Sequence, residues 1–445
     1  MKIFDRTQDF IVIYLCVRRS RLYRQAAGLQ VQVFLARLSA EFRSEPAGIV
    51  SVSGGYIMII RNVKLYGADE KLSDMALRVD GDRIAGIVPN DEPVSSDEVV
   101  IDGSGAYAIP GLIDVHFHGA LGLDVCDGGF ETVRQIAQYE AASGITAICP
   151  ATLTLPVDEL CGILSNMADF RDAASADPEA YADCANLVGI NMEGPFISVS
   201  KKGAQNPDYI IPCDAKIARR FQDAARGLVK FMGLAPECNP NYREYIAEVS
   251  SFTNVSLAHT NSDYDTALDA LSCGACHAVH LFNAMSGFTH REPGVPGAVA
   301  DSPCASVEII ADGIHIHPSM VRAALKFNGP ERMVLISDSL RAAGMPDGQY
   351  ELGGQPITKQ GRYCRLLDGT IAGSVSNLMD CLRTAVLEMG IPITTAVACA
   401  TSHPAKALGI LNDYGTLEAG KYADIVLLDG DDLTVRQVIK HGRLL

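Results

Sequence analysis

Short apolar runs recur along residues 112–337 and alternate with segments whose apolar residues have helical spacing. There are eight such runs, at residues 112–117, 146–152, 187–192, 229–234, 255–259, 278–282, 307–311 and 333–337. Residues 131–142 and 318–327 are examples of the helical segments between them. This alternation is typical of parallel strands joined by crossover helices. Because eight strands favour a closed barrel over an open sheet, we predict an α/β fold with a (β/α)8 TIM-like barrel.

The two ends of the chain have a different pattern, in which short apolar strands are separated by turn residues. In residues 58–110 an Asp-Gly-Asp turn at 80–82 lies between apolar pairs, which is a hairpin signal. Residues 412–445 have the same character. We therefore predict that 58–110 and 412–445 pair into one small composite β-sandwich domain, and that the barrel at 111–411 is inserted between its halves.

Residues 1–57 are basic, whereas the rest of the chain is acidic. They contain eight Lys or Arg and four acidic residues, and 29 basic and 49 acidic residues follow them. A strand-like pattern begins only at Met58, so we expect residues 1–57 to be an extension outside the folded domain, with the functional start at Met58. The alternative is a basic targeting arm. The apolar run at residues 10–17 is eight residues long, well short of the ~20 that cross a membrane.

The chain length, charge and cysteine content restrict the possible functions. A length of 445 residues suits one barrel of about 250 residues with an added module. The formal net charge of −16 opposes binding to nucleic acid or to an anionic membrane, so we expect neither as a partner. The 13 cysteines are scattered and odd in number, which is typical of reduced thiols, and we expect a cytoplasmic protein.

Six residues that can bind a metal lie where the apolar runs end. They are His116, His118, Glu193, His259, His280 and Asp338. In a barrel the carboxyl ends of the strands form the active-site face, and side chains two apart on one strand point to the same side. A single histidine is more often a satisfied polar residue, but only ten histidines exist and four of them lie at these ends. The pattern predicts a metal centre, since imidazole and carboxylate groups bind zinc or iron.

Several motifs along the chain resemble those of a known family. Residues 110–119, Pro-Gly-Leu-Ile-Asp-Val-His-Phe-His-Gly, are similar to the opening signature of the amidohydrolase superfamily. More specific motifs resemble the N-acetylglucosamine-6-phosphate deacetylase family, and they lie at residues 191–196, 201–207, 235–237, 280–285, 291–294, 311–315 and 371–374. The resemblance extends from Met58 to Leu445 and leaves out residues 1–57. It implies a metal-dependent amide hydrolase.

The resemblance implies a ligand set for one or two divalent ions, zinc or iron. Glu193, His259 and His280 would hold the main ion, and His116 and His118 would hold a second ion with Glu193 as a bridge. Family members without the His-x-His pair use a single ion. The fourth run ends without the lysine found in related binuclear enzymes, and this departure favours the deacetylase branch.

The same resemblance assigns the proton transfers to Asp338. This carboxylate would take a proton from the attacking water and later deliver it to the leaving amine. Two alternatives stay open from the residues alone. Asp338 could be only a metal ligand, or it could cap the next helix, because Asp favours helix N-termini.

Binding of a phosphorylated substrate by an acidic protein needs a local positive charge. The resemblance implies that Arg291 contacts a phosphate, reaching into the site of a neighbouring subunit of a homodimer, with Asn283, Ala284 and His315 completing the pocket. From the residues alone, Arg291 could instead form a surface ion pair with the acid that follows it. The family usually has a substrate-contacting histidine where this chain has Gln205, which donates a hydrogen bond but carries no positive charge.

We therefore predict deacetylation of N-acetyl-D-glucosamine 6-phosphate to D-glucosamine 6-phosphate and acetate. One alternative is that the substrate is another N-acetylated hexosamine phosphate, for which Gln205 leaves room. The other alternative is a non-catalytic amidohydrolase-like binding protein. Such a protein is expected to lose ligands, and none of the six strand-end groups is missing.

Overall fold

Parallel strands and the helices between them form most of the described structure, a computed structural model that covers residues 57–445. Predictions about residues 1–56 lie outside this range. The strands are β1 (Ile57–Arg61), β2 (Lys64–Tyr66), β3 (Leu72–Ser73), β4 (Ala76–Asp80), β5 (Arg83–Val88), β6 (Val99–Asp102), β7 (Tyr107–Pro110), β8 (Leu112–Asp114), β9 (Gly119–Ala120), β10 (Leu123–Asp124), β11 (Ile145–Ile148), β12 (Ala151–Thr152), β13 (Asn186–Leu187), β14 (Ile190–Met192), β15 (Val229–Leu234), β16 (Asn254–Leu257), β17 (His277–Ala278), β18 (Ser306–Ile310), β19 (Met333–Ile336), β20 (Gly348–Leu352), β21 (Gln355–Gln360), β22 (Tyr363–Leu366), β23 (Ile425–Leu428), β24 (Val435–Lys440) and β25 (Arg443–Leu444). The α-helices are α1 (Phe130–Ala142), α2 (Val157–Ala176), α3 (Ala215–Ala224), α4 (Tyr242–Val249), α5 (Tyr264–Ser272), α6 (Gly294–Asp301), α7 (Pro318–Asn328), α8 (Leu378–Leu387), α9 (Ile393–Ala400) and α10 (Ser402–Leu408).

The barrel strands run parallel and follow one another in chain order. In one sheet β11 pairs with β8 and β13, and in the other the order is β12-β14-β15-β16-β17-β18-β19. Backbone hydrogen bonds then join the segments that follow the last and the first strand. Asp338 N donates to His116 O at 2.9 Å, and His118 N donates to Ser339 O at 2.7 Å. Each of the eight predicted runs overlaps a parallel strand, so the predicted α/β barrel is confirmed.

Two of the predicted runs are each split into two strands. Residues 146–152 contain β11 and β12, with Pro150 between them, because proline has no N–H to donate to the ladder. Residues 187–192 contain β13 and β14, with Gly189 between them. A Cβ at Gly189 would lie 2.5 Å from the side chain of Lys230 on β15, so only glycine allows the chain to pass this close to β15.

Side chains alternate between the barrel interior and the surrounding helices. On β8, Leu112 packs in the large cluster that includes the helix residues Ile136 and Leu164, whereas its neighbour Ile113 packs with Phe231 in the cluster that also includes α10. This alternation follows from the period of two along a strand. Among the helices of residues 57–445, none is long and apolar enough to cross a membrane.

Both ends of the described chain build the smaller domain. One of its sheets has the order β5-β4-β1-β6, and the other has the order β25-β24-β23-β7-β2-β3. In the second sheet β23 lies antiparallel beside β7, with Val426 opposite Ile109. Buried side chains of both segments, such as Leu77 and Ile425, form one core. These sheets confirm the predicted composite β-sandwich, and the predicted Asp-Gly-Asp turn joins β4 to β5.

An antiparallel sheet of β20, β21 and β22, which the apolar pattern did not predict, follows the last barrel strand. A Gly-Gly turn at 353–354 connects β20 to β21, and this dipeptide between two strands is a recognised hairpin signal. Leu352 and Ile357 of this sheet pack with Leu153 and Ala204. The added sheet therefore lies against loops at the carboxyl ends of the barrel strands.

Candidate metal centre

Four imidazoles converge on the carboxylate of Glu193, which directly follows β14. Its Oε1 lies 2.8 Å from His259 Nε2, 3.0 Å from His280 Nε2 and 3.4 Å from His116 Nε2. Its Oε2 lies 3.5 Å from His118 Nε2. All five side chains are buried. The structure thus brings together the five residues that the sequence predicts as metal ligands.

The other ring nitrogen of each histidine is held by an oxygen atom. The pairs are His116 Nδ1 with Glu308 Oε2 (2.8 Å), His118 Nδ1 with Ala151 O (3.1 Å), His259 Nδ1 with Lys201 O (2.8 Å) and His280 Nδ1 with Asn283 O (3.1 Å). A carbonyl or carboxylate oxygen can only accept, so each Nδ1 carries the hydrogen. In a neutral ring the lone pair is then on Nε2, which is the arrangement of a metal-binding histidine.

This donor set fits a divalent cation. His259 Nε2 and His280 Nε2 lie only 3.2 Å apart, and they lie 2.8 and 3.0 Å from Glu193 Oε1. The buried His116 Nε2 has no hydrogen-bond partner among the described residues. The ligand atoms form two groups of three, each group within 4.8 Å, namely His116 with His118 and Glu193, and Glu193 with His259 and His280. A cation relieves the repulsion between these acceptors, and imidazole with carboxylate is the ligand type of zinc or iron.

The electrostatics keep Glu193 ionised. Burial by itself raises the pKa of Glu193, but protonated imidazoles, His259 foremost, hold this pKa well below its ordinary value through their charge and hydrogen bonds. A bound cation would supply the same positive charge when the rings are neutral. Burial by itself lowers the pKa of His118, yet the hydrogen bond to Asp338 and the charge of Glu193 raise it. The carboxylate is therefore available as an anionic ligand.

Two of the predicted metal ligands and the predicted proton carrier have an unusual backbone conformation at the ends of their strands. The φ angle is 42° at His259, 30° at His280 and 49° at Asp338. Positive φ is uncommon for residues other than glycine, and such strain is concentrated at functional sites. The sharp change of chain direction occurs where each strand ends and the site begins.

Asp338 lies beside the His116 and His118 half of the centre. Its Oδ1 is 3.4 Å from His118 Nε2 and 3.8 Å from His116 Nε2. Burial by itself raises the pKa of Asp338, but the hydrogen bond from His118 and nearby imidazole charges lower it, so the carboxylate is ionised. The alternative that Asp338 caps the next helix is wrong, since the next α-helix, α8, is capped by Asn377.

Glu308 is a functional residue that the sequence analysis did not identify. It is fully buried on β18, where Oε2 accepts from His116 Nδ1 at 2.8 Å and from His280 N at 3.0 Å. Its Oε1 accepts from His277 Nε2 at 2.8 Å. The available signal was a single acid inside the apolar run Ser-Val-Glu-Ile-Ile, because an ionised residue in such a position must have partners.

The residues predicted to bind substrate differ in their surroundings. Asn283 and Ala284 lie three and four residues after His280 and are half-buried. His315 Nδ1 donates to Asp312 Oδ2 at 2.8 Å. Burial by itself lowers the pKa of His315, but this hydrogen bond and the Asp312 charge raise it.

Arg291 and Gln205 differ in exposure. Arg291 is exposed, and within residues 57–445 no carboxylate lies in ion-pair range of its guanidinium, so the alternative of an ion pair with Glu292 is wrong. Gln205 is buried, and its amide contacts Glu193 and the backbone of Thr154.

Similarity to characterised proteins supports the geometry. The amidohydrolase family matches residues 107–445. The N-acetylglucosamine-6-phosphate deacetylase of Bacillus subtilis (strain 168) is 36% identical over 73% of this chain and 81% of the relative. The N-acetylgalactosamine-6-phosphate deacetylase of Escherichia coli O157:H7 is 31% identical over 87% of this chain and 98% of the relative.

Solved structures show the same similarity. One is a mutant N-acetyl-D-glucosamine-6-phosphate deacetylase of Mycobacterium smegmatis in complex with N-acetyl-D-glucosamine-6-phosphate, with a TM-score of 0.79, 30% identity and coverage of 88% of this chain and 99% of that one. Another is the N-acetylglucosamine-6-phosphate deacetylase of Pasteurella multocida, with a TM-score of 0.81, 29% identity and coverage of 88% and 100%. The chain therefore belongs to the amidohydrolase family and, within it, to the group of N-acetylglucosamine-6-phosphate deacetylases.

Proposed function

We propose that this protein hydrolyses the acetamide of N-acetyl-D-glucosamine 6-phosphate, releasing acetate and D-glucosamine 6-phosphate. The observation that carries the proposal is one buried carboxylate, Glu193, shared by two groups of metal ligands, with the ionised Asp338 beside them. This arrangement suits hydrolysis of an unactivated amide, which needs both an activated water and a proton for the leaving amine. The names of the relatives supply the substrate class.

Glu193, His259 and His280 would hold the main divalent ion, and His116 and His118 with Glu193 would hold a second. When bound, such an ion lowers the pKa of water and polarises a carbonyl group. We propose zinc or iron because imidazole dominates the ligand set. The Nδ1 contacts described above fix the rings so that Nε2 faces the ion.

Asp338 then moves the proton. Its ionised carboxylate accepts a proton from water as the water oxygen bonds to the acetyl carbon. The same proton passes to the nitrogen as the C–N bond breaks, so that acetate and the free amine leave. The lowered pKa of Asp338 leaves it ready to accept at the start of each cycle.

A phosphate group would be held by local cations on this acidic chain. We propose that His315, whose pKa is raised, binds the sugar phosphate together with Asn283 and Ala284 at the strand ends. The exposure of Arg291 supports the proposal that its guanidinium binds phosphate in the site of a second subunit. A homodimer follows from this proposal, and light scattering of the purified protein checks it.

The domain boundaries and the cellular location are also proposals. The pairing of β7 with β23 supports residues 58–110 and 412–445 as one domain around a barrel at 111–411. The twelve cysteines described in residues 57–445 are all free, which supports a reducing compartment, the cytoplasm. Alkylation of thiols in freshly lysed cells, followed by mass measurement, tests the second point.

The function is tested by acetate release from purified protein of known metal content. We expect turnover of N-acetyl-D-glucosamine 6-phosphate, its loss after chelation and its return with added Zn²⁺ or Fe²⁺. Unphosphorylated N-acetyl-D-glucosamine is the control for phosphate recognition. A fully metal-loaded protein that releases no acetate from any N-acetylhexosamine 6-phosphate would contradict the proposal.

A second candidate substrate is N-acetyl-D-galactosamine 6-phosphate. It is favoured by the relative from Escherichia coli O157:H7, which this chain covers over 98% of its length. The same acetate assay with both sugar phosphates decides between them through the ratio of kcat/KM.

A further inference from the structure

The side chain of Gln205 lies between two strand ends of the barrel. It is only 4% exposed. Its Oε1 accepts a hydrogen bond at 2.7 Å from the backbone N–H of Thr154, two residues after β12 in the chain. A backbone N–H can only donate, so this contact identifies the amide oxygen and fixes the opposite atom as the NH₂ group. That group donates to Glu193 Oε2, directly behind β14.

The loop that carries Gln205 is tied to the metal ligands at more than one point. Ser198 N donates to His259 O at 2.9 Å, and His259 Nδ1 donates to Lys201 O at 2.8 Å. From the added sheet, Gln355 Nε2 donates to Ala204 O at 2.5 Å. The loop at 198–205 therefore orients His259 through a backbone carbonyl and Glu193 through the Gln205 amide.

We infer that Gln205 is a positioning residue for Glu193, an inference that rests on the proposed metal centre. By holding Oε2, the amide stops the carboxylate from rotating and keeps Oε1 directed at His259 and His280, which lie 2.8 and 3.0 Å away. The family resemblance gives this position a substrate contact instead. In this chain both ends of the amide are engaged, which leaves one hydrogen of Nε2 and one lone pair of Oε1 for other partners.

A neutral amide suits this role. It donates to the carboxylate without competing for the ion, whereas a cation in its place would compete for the negative charge of Glu193. Partners of metal ligands that act in this way change metal affinity by about 10- to 100-fold when they are removed. The expected consequence of losing the Gln205 amide is therefore weaker metal binding rather than weaker substrate binding.

The test is a competition titration of the metal-stripped full chain with Zn²⁺ and a chromophoric chelator. In Gln205→Leu, which keeps the side-chain volume and loses both hydrogen bonds, we expect zinc affinity to fall by about 10- to 100-fold. We also expect KM at saturating zinc to stay within about twofold of wild type. Turnover that is low at limiting zinc should recover as zinc is added, because the substitution acts through metal occupancy. The matched control is Gln349→Leu, the same substitution at an exposed position of β20, and it is expected to retain zinc affinity.

A second variant keeps the inference testable if Gln205→Leu does not fold. Gln205→Asn retains an amide but is one methylene too short to reach both partners, so zinc affinity is expected to fall as well. Unchanged zinc affinity in a folded variant overturns the inference, and a KM raised tenfold or more with full metal content would make Gln205 a substrate contact. Because the titration needs no turnover, it gives the same answer if the proposed reaction is wrong.

Discussion

The two halves of the metal centre hold their histidines in different ways. In the half formed by His259 and His280, both Nδ1 atoms donate to backbone carbonyls, those of Lys201 and Asn283. In the other half, His118 Nδ1 also donates to a backbone carbonyl, that of Ala151, but His116 Nδ1 donates to the carboxylate of Glu308. A carbonyl anchor is neutral and belongs to the backbone, whereas Glu308 adds a full buried charge.

Each half therefore depends on the sequence in a different way. A backbone carbonyl survives any side-chain substitution that leaves the loop in place. The anchor of His116 disappears with one residue, and its negative charge also makes the imidazole a stronger ligand. We therefore expect side-chain substitutions to weaken ion binding more readily in the His116 and His118 half.

The largest expected effect concerns Asp338, which lies beside His116 and His118. Asp338→Asn keeps the shape of the side chain and removes the proton acceptor. We expect kcat to fall by about 10²- to 10⁴-fold, as is typical for a general base. Metal analysis of the same preparation is the control and should show unchanged metal content. Full turnover in this variant would remove Asp338 from the mechanism.

A smaller effect is expected from Glu308→Gln. Losing the charge that anchors His116 should lower the metal affinity of the His116 and His118 half by about 10- to 100-fold, with a much smaller change in the affinity of the other half. A two-step Zn²⁺ titration measures both. Glu159→Gln, an exposed acid on α2, is the matched control. Equal weakening of the two steps would contradict the asymmetry.

His315 extends the comparison to a carboxylate-anchored imidazole outside the ligand set. Its folded-state pKa is raised by Asp312, so the charged form and the stability it contributes are complete below the ordinary value of 6.5 and are lost as pH rises through the raised pKa. We expect KM for the sugar phosphate to rise over the same alkaline range. Asp312→Asn should move this rise to lower pH, and His315→Gln should abolish it. An identical pH profile of KM in Asp312→Asn would disprove the coupling.

The smallest effect is expected at the anchor of His280. Asn283→Ala removes the side chain but keeps the carbonyl that accepts from His280 Nδ1. Zinc affinity of the His259 and His280 half should therefore stay within about threefold, far below the change expected for Glu308→Gln. A loss as large as that of Glu308→Gln would show that backbone anchoring does not protect this half.

The sequence predicts the ligands better than it predicts what holds them. Strand periodicity places His116, Glu193 and His280 at strand ends, where the barrel geometry brings them together. The anchoring carbonyls carry no side-chain signal, since every residue has one. Glu308 was missed because its run was interpreted as an ordinary apolar strand.

The remaining differences have equally local causes. Pro150 and Gly189 interrupt runs that are continuous in hydrophobicity, because ladder hydrogen bonds and close packing are not visible in that pattern. The contact between Gln205 and Glu193 depends on how a loop folds back over the barrel, and loop paths are not encoded in periodicity. The added sheet of β20 to β22 had a turn signal at its Gly-Gly dipeptide, which is visible in the sequence.

The pairing of β7 with β23 also affects how the chain folds during synthesis. Residues of β7 are made early, but their partner strand is among the last segments to leave the ribosome. Until then β7 has an open hydrogen-bonding edge toward the missing strand, and such edges promote association between nascent chains. The barrel must hold the two segments near each other before the sheet can be completed, so deletion of the last strands is expected to cause aggregation even though it leaves every metal ligand in place.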